Sequence, residues 1–182
     1  LLRAKINPHF LYNILESIKV CNTLGRIDDA NLILSMLGSF YRLILRKSDL
    51  DIITIREELE IIELYLNMEA ISHEHCFSYS ISLDPDIDLF TIPRFVLQPL
   101  VENCVTHGLS GDARKMNISV SLRYSEETIV ITIEDNGLGM SREQLSKLMQ
   151  VIKGERVISD SIAANAFYGL TNVSSRLKPY VM

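Results

Sequence analysis

The chain has 182 residues, 47% hydrophobic and 23% charged, an ordinary globular balance that excludes disorder as its main state. Its formal net charge of -5 speaks against nucleic-acid binding through a basic surface. The three cysteines, Cys21, Cys76 and Cys104, show no Cys-x-x-Cys spacing, which argues against a disulfide framework or a zinc site and fits a reducing compartment.

The first 71 residues read as helix. Leu11, Ile14, Leu15, Ile18 and Cys21 recur at three- and four-residue steps, and Gly25 offers a stop. Asp28 or Asp29 is expected to cap a second helix from about Ala30 to Lys47, apolar on more than one side, as in a bundle or a dimer. The most apolar stretch, Leu32 to Leu45, is broken by Gly38 and Arg42 and falls short of the roughly 20 residues a bilayer requires. A third helix is predicted from about Arg56 to Ile71, opened by Thr54 and carrying Glu57 and Glu58 where they suit the helix dipole. The chain opens at Leu1 inside a helical pattern, so it is expected to be part of something longer.

After Ser72 the period changes. Residues 77–83 alternate as a strand, and Pro93 is expected to open a helix running to Gly108, kinked at Pro99. Strands from Asn117 to Tyr124 and Thr128 to Glu134 follow, joined by Ser125-Glu126-Glu127, then a helix from about Ser141 to Lys153. A polar stretch from Gly154 to Asn165 reads as irregular, and a last helix as starting near Leu170. The fold expectation is α+β, with a helical first half.

Four segments carry chemistry. His9, in Asn7-Pro8-His9-Phe10-Leu11-Tyr12-Asn13, falls opposite the apolar stripe of the first helix, on the side of Lys5, Asn13 and Glu16. An exposed imidazole is a competent nucleophile toward a phosphoryl group, although a lone surface histidine is more often merely solvated. Glu102-Asn103 lies one turn before His107; the Asn103 amide oxygen suits Mg²⁺ and His107 a phosphate, the bland reading being a polar outer face. In Asp135-Asn136-Gly137-Leu138-Gly139, the carboxylate suits an exocyclic amine such as that of adenine, and the glycines allow close backbone approach, although Asp-Asn-Gly is also a common turn. Tyr168-Gly169-Leu170-Thr171-Asn172 is expected to open the last helix with free amides for phosphate, with 154–165 as a lid, or else to be an ordinary helix start. No Walker A loop, Gly-x-Gly-x-x-Gly or Gly-x-Ser-x-Gly occurs.

Together these segments resemble the sensor histidine kinases of two-component systems, of the LytS/YesM-like family. Asn7 to Asn13 looks like the phosphoacceptor motif, Gln98 to Asn103 with His107-Gly108 like the N box, Asp135 to Gly139 like the G1 box and Gly169 to Leu177 like the G2 box. The resemblance implies a helical hairpin forming a dimeric four-helix bundle, residues 1–71, followed by a Bergerat-type ATP-binding α/β sandwich, residues 72–182. The closing strands of that sandwich lie outside these residues, so an exposed sheet edge is expected. It further implies that His9 attacks the γ-phosphate of Mg-ATP and passes the phosphoryl group to a receiver-domain aspartate of a response regulator. Asn103 would hold Mg²⁺, Asp135 the adenine amine, and Gly137, Gly139, Gly169 and Leu170 the phosphate and lid loops. Asn13 would orient a water for dephosphorylation of the partner, and Glu102 is the candidate general base. Membrane attachment, if any, would come through a segment upstream of a cytoplasmic portion.

The chain departs from the family at Phe10, where many members have an acidic residue after the histidine, and at Thr106, Ser72 and Phe167, in place of a Lys, an Arg and a Gly. These departures leave open a catalytically degenerate dimeric interaction module, and the superfamily leaves open a plain ATP hydrolase.

Overall fold

A computed structural model describes residues 8–46, 50–108, 116–153 and 161–180, including side chains except those of Pro8, His9 and 161–168. Helices α1 (Pro8–Thr23) and α2 (Ile27–Arg46) form a hairpin. A left-handed Gly25 (φ 75°) and a 2.8 Å bond from the Arg26 amide to the Cys21 carbonyl end α1, the chemistry that closes many helices. Asp28 and Asp29 lie inside the first turn of α2, not before it, because α2 starts at Ile27. Arg26 fastens this turn to the end of the third helix, bonding Asp29 at 2.7 Å, Glu74 at 3.1 Å and the Ile71 carbonyl at 3.3 Å.

Strand β1 (Ile52–Thr54) leads into α3 (Ile55–Ser72). The predicted start of α3 is borne out by a reciprocal capping box: Thr54 Oγ1 accepts from the Glu57 amide and Glu57 accepts from the Thr54 amide. The stripe of α1 is rotated from the expected one. Phe10, Ile14 and Cys21 are buried and Leu11 and Ile18 half-buried, whereas Leu15 is exposed. Phe10 meets Phe40 of α2 and Tyr65 of α3 with ring centroids 5.3 and 5.2 Å apart, so the start of α1 packs against the far end of α2.

The second half holds β2 (Phe77–Leu83), β3 (Thr91–Pro93), α4 (Gln98–Gly108), β4 (Met116–Ser125), β5 (Thr128–Asp135), α5 (Arg142–Ile152) and α6 (Ser161–Leu177). One sheet has the order β2-β4-β5, parallel between β2 and β4 and antiparallel between β4 and β5. The parallel pair requires a crossover, and α4 supplies it, packing on β4 and β5. Alternation places Met116, Ile118, Val120 and Leu122 of β4 in the core. The chain is therefore α+β, a helical region followed by a mixed sheet with helices. No helix among the described residues is long and apolar enough to cross a membrane.

Three expectations are corrected. Pro93 does not open a helix: it ends β3, opposite Ile52 in an antiparallel pair with β1, at a strand terminus that tolerates the missing N–H. Helix α4 starts at Gln98, which puts Pro99 in the first turn, where it causes no kink. The last helix starts at Ser161, not near Leu170, because Ala163, Ala164 and Ala166 are strong helix formers and carry it across Gly169. Of the expected irregular stretch, 161–165 is helical and 154–160 lies outside the described residues, as do Lys5 and Asn7.

The hairpin between β4 and β5 turns on Glu126 and Glu127, both left-handed at φ 49° and 64°. This two-residue geometry favours Asn-Gly, and each side chain there costs about 1–2 kcal/mol. Exchanging the pair for Asn-Gly is expected to stabilise the chain by about 1–2 kcal/mol. The change is read as a raised urea midpoint with an unchanged slope.

Candidate functional site

Helix α4 is the centre on which the motif segments converge. It packs on α3, α6, β4 and β5. Val101, Cys104 and Val105 face the core, Glu102 and Asn103 are half-buried, and Thr106 and His107 are exposed. Glu102 accepts from Gln98 Nε2 at 2.8 Å, which fixes its carboxylate along the helix.

Asp135 is the last residue of β5 and is exposed. Its Oδ1 accepts from the Gly137 amide at 2.9 Å, a turn that the Asp-x-Gly sequence forms locally. The neighbouring Asn136 ties this loop to β4, its Oδ1 accepting from the Asn117 amide at 2.7 Å. Beneath Asp135 lies Cys104 of α4. Burial, followed by the charge and hydrogen bonding of Asp135, pushes its thiol up to about 12. The carboxylate of the strand end and the motif helix are therefore in direct electrostatic contact.

The glycines differ in their reasons. A Cβ on Gly137 would sit 2.7 Å from the Cα of Gly108, so the loop can lie on the end of α4 only without a side chain there. Gly139 has open space around it and is needed for its backbone, at φ 66°. Gly169 faces Asn103, where a Cβ would come within 3.5 Å of Nδ2. The phosphate-binding helix start expected at Gly169 is corrected: Gly169 and Leu170 lie in the interior of α6, where backbone amides bond within the helix. What Gly169 provides instead is a close approach of α6 to α4.

The structure thus brings Asn103, Asp135, Gly137 and Gly169 around one helix. His9 belongs to α1, and its side chain lies outside the described ones. Asn13, one turn further along α1, is exposed. Between α1 and α4 stands α3, which packs on both. Its Tyr65 stacks on Phe10, and Glu102 and Cys104 of α4 lie near enough to act on its hydroxyl electrostatically. Burial, first of all, raises the Tyr65 hydroxyl well above its ordinary range.

Sequence reasoning missed three residues here. Phe10, counted as a departure from the family, is a core ring. Glu58 is fully buried and accepts from the amides of Phe95 at 2.9 Å and Leu97 at 3.0 Å, ahead of α4. Burial raises its carboxyl while these backbone amides oppose the rise. Arg94, also buried, donates to the Ile44 carbonyl in the last turn of α2. A cavity of about 190 Å³ between α2, β1 and α3, lined among others by Arg46, Glu57 and Arg94, contains none of the motif residues.

The donor set fits a nucleotide with Mg²⁺. Among the described residues no group of three or more His, Cys, Asp or Glu side chains could hold a metal ion. Mg²⁺ bound with phosphates requires only one or two protein oxygens, and the amide oxygen of Asn103 offers one. Gly137 lets the 135–139 loop lie against the end of α4, and Asp135 offers an acceptor.

Comparison with known proteins gives two family matches along the chain. Residues 1–77 match the family described as histidine kinase, and residues 91–178 match the histidine kinase-, DNA gyrase B- and HSP90-like ATPase family. The chain is 35% identical over 141 residues to the sensor histidine kinase YesM of Bacillus subtilis, covering 76% of this chain and 24% of that protein. It is 30% identical over 178 residues to the sensor protein LytS of Staphylococcus epidermidis, covering 97% and 28%. A likeness to the sensor histidine kinase BtsS of Escherichia coli is 30% over 136 residues, covering 75% and 24%. The chain spans about a quarter of the length of these relatives. With both family signatures in order along the chain, it belongs to the LytS/YesM-like sensor histidine kinases.

Proposed function

We propose that this chain performs ATP-dependent autophosphorylation on His9 and passes the phosphoryl group to a receiver-domain aspartate of a response regulator. The observation that carries this reading is the convergence of Asn103, Asp135, Gly137 and Gly169 on α4, in a chain whose first helix bears His9. In the proposed division of labour, residues 1–71 serve dimerisation and phosphotransfer and residues 72–182 bind nucleotide.

Mg-ATP, when bound, supplies the γ-phosphoryl group and its charge neutralisation. Asp135 accepts the adenine amine, held by the bond its Oδ1 accepts from the Gly137 amide. Asn103 offers its amide oxygen to Mg²⁺, and His107, exposed at the end of α4, is free to approach a phosphate. A ring nitrogen of His9 forms the new P–N bond as the P–O bond to ADP breaks, and the imidazole gives up a proton. Glu102 is the candidate to receive it, since its carboxylate is half-buried and oriented by Gln98. Transfer to the aspartate carboxylate then forms the P–O bond of an acyl phosphate as the P–N bond breaks, and the ring nitrogen takes back a proton to restore neutral His9.

A homodimer is supported by the exposed apolar side chains of the α1–α2 hairpin, among them Tyr12, Leu15, Leu24, Ile27, Leu32 and Leu34. Apolar exposure of this extent on two adjacent helices suits a partner pair of the same helices. Attachment to a membrane, if any, belongs to a segment upstream, with the present residues on the cytoplasmic side. One observation favours a second reading, a degenerate dimeric module signalling by conformation: Gly169 stands inside α6 and leaves no free amides for a phosphate there.

The deciding experiment uses γ-labelled Mg-ATP on the chain and on His9→Gln. Acid-labile label on the first and none on the second is expected. Bound nucleotide with no label on either would favour the degenerate module, and release of phosphate by both would favour a hydrolase. Gly137→Ala is expected to weaken nucleotide binding at least about tenfold, roughly 1.4 kcal/mol, because its Cβ meets the Gly108 backbone; calorimetric titration checks this. Asn13→Ala is expected to leave labelling of His9 intact and slow dephosphorylation of the phosphorylated partner, and equal loss of both rates would sink that role.

A further inference from the structure

Helix α4 starts without a cap of its own. Residues 94–97 are Arg-Phe-Val-Leu, none of them a residue whose side chain caps a helix well. The task falls to another helix. Glu58 of α3, fully buried, accepts from Phe95 N through Oε2 at 2.9 Å and from Leu97 N through Oε1 at 3.0 Å. The amide dipoles of Val96 and Gln98 also favour the ionised form of this carboxyl group. A buried carboxyl group thus sits at the positive end of α4 and takes the amides of Leu97, just before the helix, and of Phe95.

The same short loop is bound on its other side. Arg94 donates to the carbonyl of Ile44 in the last turn of α2, and its guanidinium lies 4.5 Å from the centroid of the Phe95 ring. Phe95 between these ties has φ 56°, a left-handed conformation that a side chain avoids unless its surroundings impose it. The start of α4 is therefore set by α2 and α3, the helices that pack beside α1 and His9, rather than by its own sequence.

We propose that Glu58 is a positioning residue for nucleotide binding, its buried carboxylate fixing the start of α4 and so transmitting the placement of α2 and α3 to Asn103 five residues into that helix. The inference rests on the nucleotide reading of the site. Glu58→Gln replaces one acceptor oxygen by an NH₂ that faces a donor, and Glu58→Asp keeps the charge but draws it back by one methylene.

Two measurements on the full chain test it: amide hydrogen exchange by residue, and Mg-ATP affinity. In Glu58→Gln, exchange at Phe95, Leu97 and along 98–108 is expected to accelerate at least tenfold while the β4–β5 ladder stays protected. Affinity is expected to fall about tenfold, with Glu58→Asp between this variant and the parent. Faster exchange with unchanged affinity would reduce Glu58 to a structural anchor, and unchanged exchange would remove the clamp altogether; either overturns the proposal. So would a chain that folds with neither substitution, as read by circular dichroism, since Glu58 would then serve stability alone. If the parent itself binds no Mg-ATP, the nucleotide reading has failed, and exchange then decides alone: acceleration reaching residues 98–108 upholds the transmission to α4, and confinement to 95–97 overturns it.

Discussion

The fold depends on a backbone problem at the start of α4. A helix that begins inside a protein must find partners for its first amides, since water is not there to supply them. No side chain of residues 94–97 supplies one, and the amides of Phe95 and Leu97 bond instead to the buried carboxylate of Glu58. That places α3 and α4 at a fixed separation, and everything that leans on α4 inherits the position: the 135–139 loop through Gly137 on Gly108, and α6 through Gly169 beside Asn103. Three glycines and one buried carboxyl group thus define a single locus, and the nucleotide reading depends on that locus being kept.

Aromatic packing links this locus to the helical region. Phe10, the residue after His9, is locked between Phe40 and Tyr65, and Tyr65 lies near Glu102 and Cys104. Large side chains at this contact restrict rotation of α1 about its axis, because turning His9 moves Phe10 out of a close-packed ring cluster. An acidic residue at position 10 could not occupy that place without burying a charge. The departure from the family's usual pattern is therefore also a structural requirement of this helix.

What was legible in the sequence was local. The capping box of α3 involves residues three apart, the alternation of β4 and β5 is visible within each strand, and the motif order needs no structure at all. What was not legible depended on distant partners. Strands β1 and β3 have three residues each, too few for a period, and each is a strand only because the other lies beside it. Pro93, a good helix opener in isolation, closes a strand because Ile52 is its neighbour. Glu58 looked like a first-turn acid serving its own helix dipole; it serves that of α4, a fact hidden until residues 95–97 are in place. Gly169 suggested a boundary because glycine often marks one, yet the alanines before it outweigh a single glycine in the interior of α6.

The thiol of Cys104 adds a chemical consequence. With its ionisation pushed up to about 12, the thiolate fraction at neutral pH is on the order of one part in 10⁵. Oxidants and alkylating agents act on thiolates, so the sulfur nearest Asp135 is chemically quiet while Cys76 lies exposed on the surface. Of the two, Cys76 is the accessible thiol and Cys104, under Asp135, the shielded one. Burial thus allows a cysteine to stand beside the carboxylate of Asp135 as a protonated, unreactive side chain.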